Sequence, residues 1–200
     1  MYLYEDVLFT DAALDLFLEA IDDFPRDTRS MYRFAKRKHD DTHAIRKVSK
    51  QPYWVHPEGV AYIVMQHGGS NTEIKAALAH DTIEDAGATL EDIEEKFGKQ
   101  VADIVAQVTN DRYELMHVSK EDYINKELCE ISPEALTIKL ADILYNQRDF
   151  PTEKNYERMR RNVQYMLQHR DNLEPVHIEL ANEILEVAWQ LQGYIYIYGK

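Results

Sequence analysis

With 200 residues, 44% of them apolar, the chain is long enough to bury one sizeable core, and a single domain over residues 1–200 is the expectation. A net charge of -13 argues against DNA, RNA or anionic lipid as partners, because each of these demands a basic surface. The single cysteine, Cys129, excludes an internal disulfide, and no second cysteine is present for a zinc ribbon or a redox motif.

No stretch approaches the roughly 20 consecutive apolar residues of a membrane span, and the opening MYLYEDVLF lacks the basic flank of a signal peptide. A soluble, cytoplasmic protein without a membrane partner is therefore expected. Leu14, Phe17, Leu18 and Ile21 keep the spacing of one helical face, with Thr10 as N-cap and Pro25 beyond the end. Val60, Ile63, Val64 and His67 form a second stripe that stops at Gly68-Gly69. Ser70 with Glu73, and Thr89 with Asp92, have the spacing of capping boxes. Leu90, Ile93 and Phe97 lead to a stop at Gly98, after which Val101, Ile104, Val105 and Val108 resume the period. Ser132-Pro133 predicts a helix start, running to about Gln147, because proline at the first helical position gives up no hydrogen bond. Amphipathic segments lie at 153–169 and 176–192, and the tail YIYIY from Tyr194 alternates as a strand does. Without repeats or long linkers, the pattern predicts an all-α bundle of about eight to ten helices.

Charge is unevenly spread. Arg33, Lys36, Arg37, Lys38, Arg46, Lys47 and Lys50 face only Asp40 and Asp41 over residues 33–50. Such an island is either a solvated helix face or a grip for a small polyanion. Two segments place ionisable groups in strongly apolar helical sequence, AALAHDTIED at 76–85 and IKLADILYN at 138–146. A buried unpaired charge costs several kcal/mol, so these groups need a partner, and a bound cation is one that serves both segments. If the helix continues through the first segment, His80/Glu84 and Asp81/Asp85 each lie one turn apart and the four groups cluster. His39-Asp40 repeats the His-Asp pair among Arg37, Lys38 and Asp41, a solvated setting. His56, before Pro57, suits a core or cap histidine as well as a ligand, and Asp142 can form an internal salt bridge with Lys139.

Taken in order, R-K-x(4)-P-Y-x-x-H-P from Arg46, H-D-x-x-E-D from His80, T-L-E-D-I-x-x-x-F-G from Thr89 and K-L-A-D-x-L-Y-N-x-R-D from Lys139 resemble the HD-type hydrolase domain of the RelA/SpoT family. The likeness covers about residues 29–170 and is greatest to the stand-alone small alarmone hydrolases. It implies an HD-domain helical bundle and four metal ligands, His56, His80, Asp81 and Asp142, normally holding Mn²⁺, with Fe²⁺ or Zn²⁺ compatible. It implies that Glu84 and Asp85 handle the attacking water, that Arg46 and Lys47 grip the nucleotide, and that Tyr53 and Asn146 line its pocket. The expected reaction is hydrolysis of the 3′-diphosphate of (p)ppGpp to pyrophosphate and GDP or GTP. The stretch from Arg46 to Pro52 is one residue longer than the family's usual spacing, and Asp149 stands where bacterial relatives often carry a hydroxyl residue. Only about 50 residues come after Phe150, so a nucleotide-synthesising domain is not expected. The alternatives are an HD phosphatase for another nucleotide, such as the 2′-phosphate of NADPH, and a catalytically silent nucleotide-binding or partner-binding module.

Overall fold

The computed structural model describes residues 11–47, 49–149 and 153–198, and every regular element among them is an α-helix. Ten helices of eight residues or more and two of a single turn make up the all-α class expected from the periodicity. The one extended pairing among the described residues is an isolated antiparallel bridge between Ile45 and Pro52. The backbone divides into two compact units, one within Thr10–Asn110 and the other containing Asp111–Lys200.

The first unit holds α1 (Asp11–Ile21), α2 (Arg26–Thr42), α3 (Val55–Gln66), α4 (Asn71–Ala79), α5 (Thr82–Asp85), α6 (Leu90–Phe97) and α7 (Lys99–Val108). Helix α4 is its centre, packing against α2, α3 and α7. Its run of Ile74, Ala76, Ala77, Leu78 and Ala79 is buried throughout, and the small side chains let three neighbouring helices approach. The stripe Val60, Ile63 and Val64 of α3 is buried with it, as are Val101, Ile104, Val105 and Val108 of α7. In α1, Phe17 and Ile21 are buried while Leu18 is exposed, and Thr10 lies outside the described residues.

The turn joining α3 to α4 is tightly specified. Gly68 takes φ +75°, and a Cβ on Gly69 would collide with the Val64 side chain, so the Gly-Gly pair is demanded by conformation first and by space second. The capping box then starts α4. Ser70 Oγ accepts from the Glu73 amide at 3.3 Å, and the Glu73 carboxylate accepts from the Ser70 amide at 2.8 Å. Thr89 and Asp92 do the same for α6.

The second unit holds α8 (Arg112–Leu115), α9 (Lys120–Glu130), α10 (Pro133–Asp149), α11 (Glu153–His169) and α12 (Pro175–Tyr198). Helix α10 packs against α11 and α12, and α11 also against α9. Leu128, Leu136, Leu140, Leu144, Met166 and Leu180 fill this core. Helix α10 begins at Pro133 as expected, with the Ala135 amide donating to Ser132 Oγ at 3.3 Å. The strand expected from the alternation at Tyr194 is corrected: the backbone stays helical to Tyr198. Five alternating residues are too short a signal to break a helix that nothing before them terminates.

Replacing Ser70 by Ala removes the side-chain acceptor at the start of α4, and urea unfolding should register a loss of about 1 kcal/mol. An unchanged midpoint would show that the cap is idle.

Candidate functional site

The way α4 ends sets the direction of the ionisable side chains beyond it. The helix stops at Ala79, His80 keeps right-handed helical angles, and Asp81 departs to φ -97°, ψ -4° before α5 begins. Thr82 Oγ1 donates to the freed Ala79 carbonyl at 2.7 Å. The condition that one helix continue through 76–85 is therefore not met, the helix breaking at 80–81. As a result the Asp81 carboxylate lies against both histidines, and Glu84 reaches Asn110.

His80 Nδ1 lies 2.8 Å from the Ala77 carbonyl oxygen. A carbonyl can only accept, so Nδ1 carries the proton and Nε2 presents its lone pair inward. That Nε2 lies 3.2 Å from His56 Nε2, and His56 is placed by the first turn of α3, where Pro57 costs no hydrogen bond. Asp81 spans the pair, with Oδ1 3.3 Å from His80 Nε2 and Oδ2 3.3 Å from His56 Nε2. Both imidazoles are buried. Two nitrogens and a carboxylate converging in the interior form a donor set suited to a divalent cation. Burial alone would raise the Asp81 carboxyl; the two imidazoles and the Tyr53 hydroxyl outweigh it and hold the group far below the usual carboxylate range.

Tyr53 hydroxyl donates to Asp81 Oδ2 at 2.9 Å, so this residue touches the acid of the cluster directly. Burial, with Asp81 and Asp85 close by, keeps its phenol protonated well above the ordinary range. The basic loop folds onto the same ring, with the Arg46 guanidinium 5.5 Å from the Tyr53 ring centre. The loop closes on itself at two points: the Arg46 amide donates to Gln51 O and the Tyr53 amide to Ala44 O, both at 2.9 Å. Lys47 is exposed. Asp85 is exposed as well, one helical turn beyond Asp81. Glu84 is gripped by Asn110, whose backbone amide donates at 2.8 Å and whose side-chain amide reaches both carboxylate oxygens at 2.9 Å.

In the second unit, Asn146 Nδ2 donates to Asp142 Oδ1 at 2.6 Å, one turn along α10. Lys139, the lysine considered for an internal bridge to Asp142, pairs with Glu127 at 3.0 Å. The side chain of Asp149 lies outside the described residues. Cys129 is half-buried and its thiol is pushed up by burial, in keeping with an ordinary residue.

A family model described as the HD domain matches residues 32–170. The chain belongs to the HD domain family. It is 34% identical over 148 residues to the mouse protein named guanosine-3′,5′-bis(diphosphate) 3′-pyrophosphohydrolase, covering 71% of this chain and 82% of that one. The frog (Xenopus tropicalis) protein of the same name is 40% identical over 118 residues, 58% of this chain and 65% of its own. A probable GTP pyrophosphokinase of Mycobacterium leprae is 36% identical over 168 residues, 80% of this chain but only 21% of the larger protein. The chain thus spans just under two thirds of the frog relative and about a fifth of the mycobacterial one. A solved structure described as a metazoan ortholog of SpoT that hydrolyzes ppGpp is similar with a TM-score of 0.64 and 27% identity, covering 80% of this chain and 97% of that one. No helix among the described residues is long and apolar enough to cross a membrane.

Two buried groups of this HD domain carry no clear signal in the sequence. His39, expected to be solvated, is 2% exposed and stacked on Tyr53 at 5.3 Å, and burial pushes its imidazole down to about 4. Its charged neighbours conceal the spacing Met31, Ala35, His39, which places all three on the buried face of α2. Glu58, on α3, is 1% exposed and accepts from the Tyr32 hydroxyl at 3.1 Å. Burial raises it to about 7 against the opposing influence of Tyr32 and Lys36.

The folded protein thus keeps a proton on Glu58 to about pH 7, whereas the unfolded chain releases it near 4.5. Folded molecules bind more protons in that window, so this group's contribution to stability falls as pH rises from about 4.5 to about 7. Glu58→Gln keeps the shape without the charge. Its unfolding free energy should match the parent near pH 4.5 and exceed it at pH 8 by up to about 3 kcal/mol. Parallel pH profiles for the two proteins would contradict a neutral Glu58.

Proposed function

We propose that this chain is a metal-dependent hydrolase that removes the 3′-diphosphate of (p)ppGpp, with His56, His80, Asp81 and Asp142 holding the cation. The observation that carries the reading is the pair of buried imidazole nitrogens 3.2 Å apart with Asp81 spanning them. The names borne by the frog and mouse relatives support the substrate. The mixed nitrogen and oxygen donor set suits Mn²⁺, and also Fe²⁺ or Zn²⁺. When bound, the cation supplies Lewis acidity toward water and phosphoryl oxygen.

The chain's own residues do the rest. Water attacks the phosphorus attached to the ribose 3′ oxygen, the P–O3′ bond breaks to release pyrophosphate, and the departing 3′ oxygen takes a proton from solvent to become a hydroxyl. Glu84, held by Asn110, accepts the proton from the attacking water, and Asp85 relays it to solvent. Asp142 completes the ligand set from α10, its carboxylate oriented by Asn146. Arg46 and Lys47 offset the phosphate charge that an acidic body repels, and Tyr53 both lines the pocket and steadies Asp81. The cytoplasmic setting expected from the sequence belongs to the same reading.

Two substitutions separate ligand from base. Asp142→Asn should lower the metal content of the purified protein and its activity together. Glu84→Gln should retain the metal and lose turnover by roughly 10²-fold or more. Equal metal content and equal rates across parent and both variants would remove both assignments.

A product assay tests the substrate. Supplied with ppGpp, the protein should release GDP and intact pyrophosphate, with kcat/KM at least roughly tenfold above that for NADPH, a difference of about 1.4 kcal/mol in transition-state binding. Faster turnover of NADPH, or phosphate released one unit at a time, would transfer the assignment to a phosphatase of another nucleotide.

A further inference from the structure

The basic island is split between two places. Arg46 belongs to the loop on Tyr53, while Arg33 and Arg37 lie on another face of α2, toward α6. There Ser30, Arg33, Phe34 and Arg37 of α2 and Lys96 and Phe97 of α6 line an open groove of about 350 Å³, within the first unit throughout. None of these six is a residue of the candidate metal cluster or of the loop that covers it.

Three features make the groove unlike an ordinary solvated face. Arg33 and Arg37, one helical turn apart, make no hydrogen bond or ion pair among the described residues. The rings of Phe34 and Phe97 form its floor, meeting edge to face with centroids 5.4 Å apart. Cations crowd that floor, since Lys96 Nζ lies 5.9 Å and Lys38 Nζ 5.8 Å from the Phe34 ring centre. The acid that answers them is Asp92, paired with Lys96 at 3.1 Å on the exposed side, and Lys38 also donates to the Gly87 carbonyl. No acid lines the groove. Clustered like charges in a protein of net charge -13 repel one another, and an anion seated between them relieves that repulsion.

We propose that this groove is a second ligand site, one that binds a diphosphate group. Two guanidinium forks one turn apart, with roughly 5–6 Å between their Cβ atoms, together with an ammonium on the facing helix, span more than a single phosphate. Arginine forks match phosphate oxygens two at a time, and the Ser30 hydroxyl adds a further donor. The volume lies at the small end of ligand sites, roughly 300–1,000 Å³, enough for a diphosphate with a ring laid against Phe97. The ligand is either free diphosphate or the diphosphate of a nucleoside. The inference does not depend on the hydrolytic reading, because no metal ligand or proton carrier takes part.

The test is calorimetric titration at about 0.15 M salt of the parent, of Arg33→Ser/Arg37→Ser, and of Lys154→Ser/Arg160→Ser, which removes equal charge from the second unit. Pyrophosphate, GDP, ADP and inorganic phosphate are the probes. The Arg33/Arg37 variant should lose one binding event of the parent or weaken it at least tenfold, with its rate of ppGpp hydrolysis under saturating substrate unchanged, and the charge control should bind as the parent does. GDP and ADP bound more tightly than pyrophosphate at that event mark a nucleoside diphosphate as the ligand, and equal affinity marks free diphosphate. Identical titrations of parent and Arg33/Arg37 variant overturn the site. So does an equal loss in the charge control, or inorganic phosphate binding as tightly as pyrophosphate.

Discussion

Two imidazole nitrogens lie 3.2 Å apart inside this protein, close enough for one N–H to donate to the other's lone pair or for both lone pairs to hold a cation. In this chain the constraint fixes much of its surroundings. His80 must present Nε2, so its Nδ1 is tied to the Ala77 carbonyl. Asp81 must span the pair, so the helix breaks at that residue and does not run on. Tyr53 supplies the hydrogen bond that holds Asp81 in place, and the Arg46 loop folds back over Tyr53. Each of these is a local adjustment, and they share one result: a carboxylate and two imidazole nitrogens aimed at one point.

The same economy governs charge. An acidic protein that is to hold a polyanion must place its cations where they act, and α2 with the loop after it carries nine of the 23 lysines and arginines. Lys36 lies over the Trp54 ring at 3.7 Å and pairs with Asp40, so it is spent on structure. Arg46 is committed to Tyr53. The side chains of Arg33, Arg37 and Lys47 remain uncommitted among the described residues, and of these Arg33 and Arg37 share the groove with α6.

Much of the fold is legible in the sequence because its signals are local. Ser70 with Glu73, Thr89 with Asp92, and Ser132-Pro133 announce helix starts through hydrogen bonds that need only a few consecutive residues. His56, His80 and Asp81 stand out as polar groups in or beside apolar runs, and the structure brings those three together. What the sequence hides depends on tertiary contact. Asn110 comes after α7 with no sequence signal that it reaches Glu84. His39 has the local pattern of a solvated residue because Lys38 and Asp40 flank it, although its neighbours in space are set by Met31 and Ala35. Glu58 is a plain helix-start acid until Tyr32, from another helix, covers it.

The short run from the Gly68-Gly69 turn to the break at Asp81 has a consequence for how such a chain can vary. Its start is fixed by a backbone approach that admits no side chain, and its end by a histidine that must face one direction. Between them α4 acts as a counted spacer. Deleting or inserting one residue turns everything beyond it by about 100° and shifts it by about 1.5 Å, which would swing His80 away from His56 while leaving a perfectly good helix. Length changes are therefore tolerated in the loop of residues 43–54 sooner than in α4. Between Ser70 and Asp81 the invariant quantity is the number of residues, more than their identity.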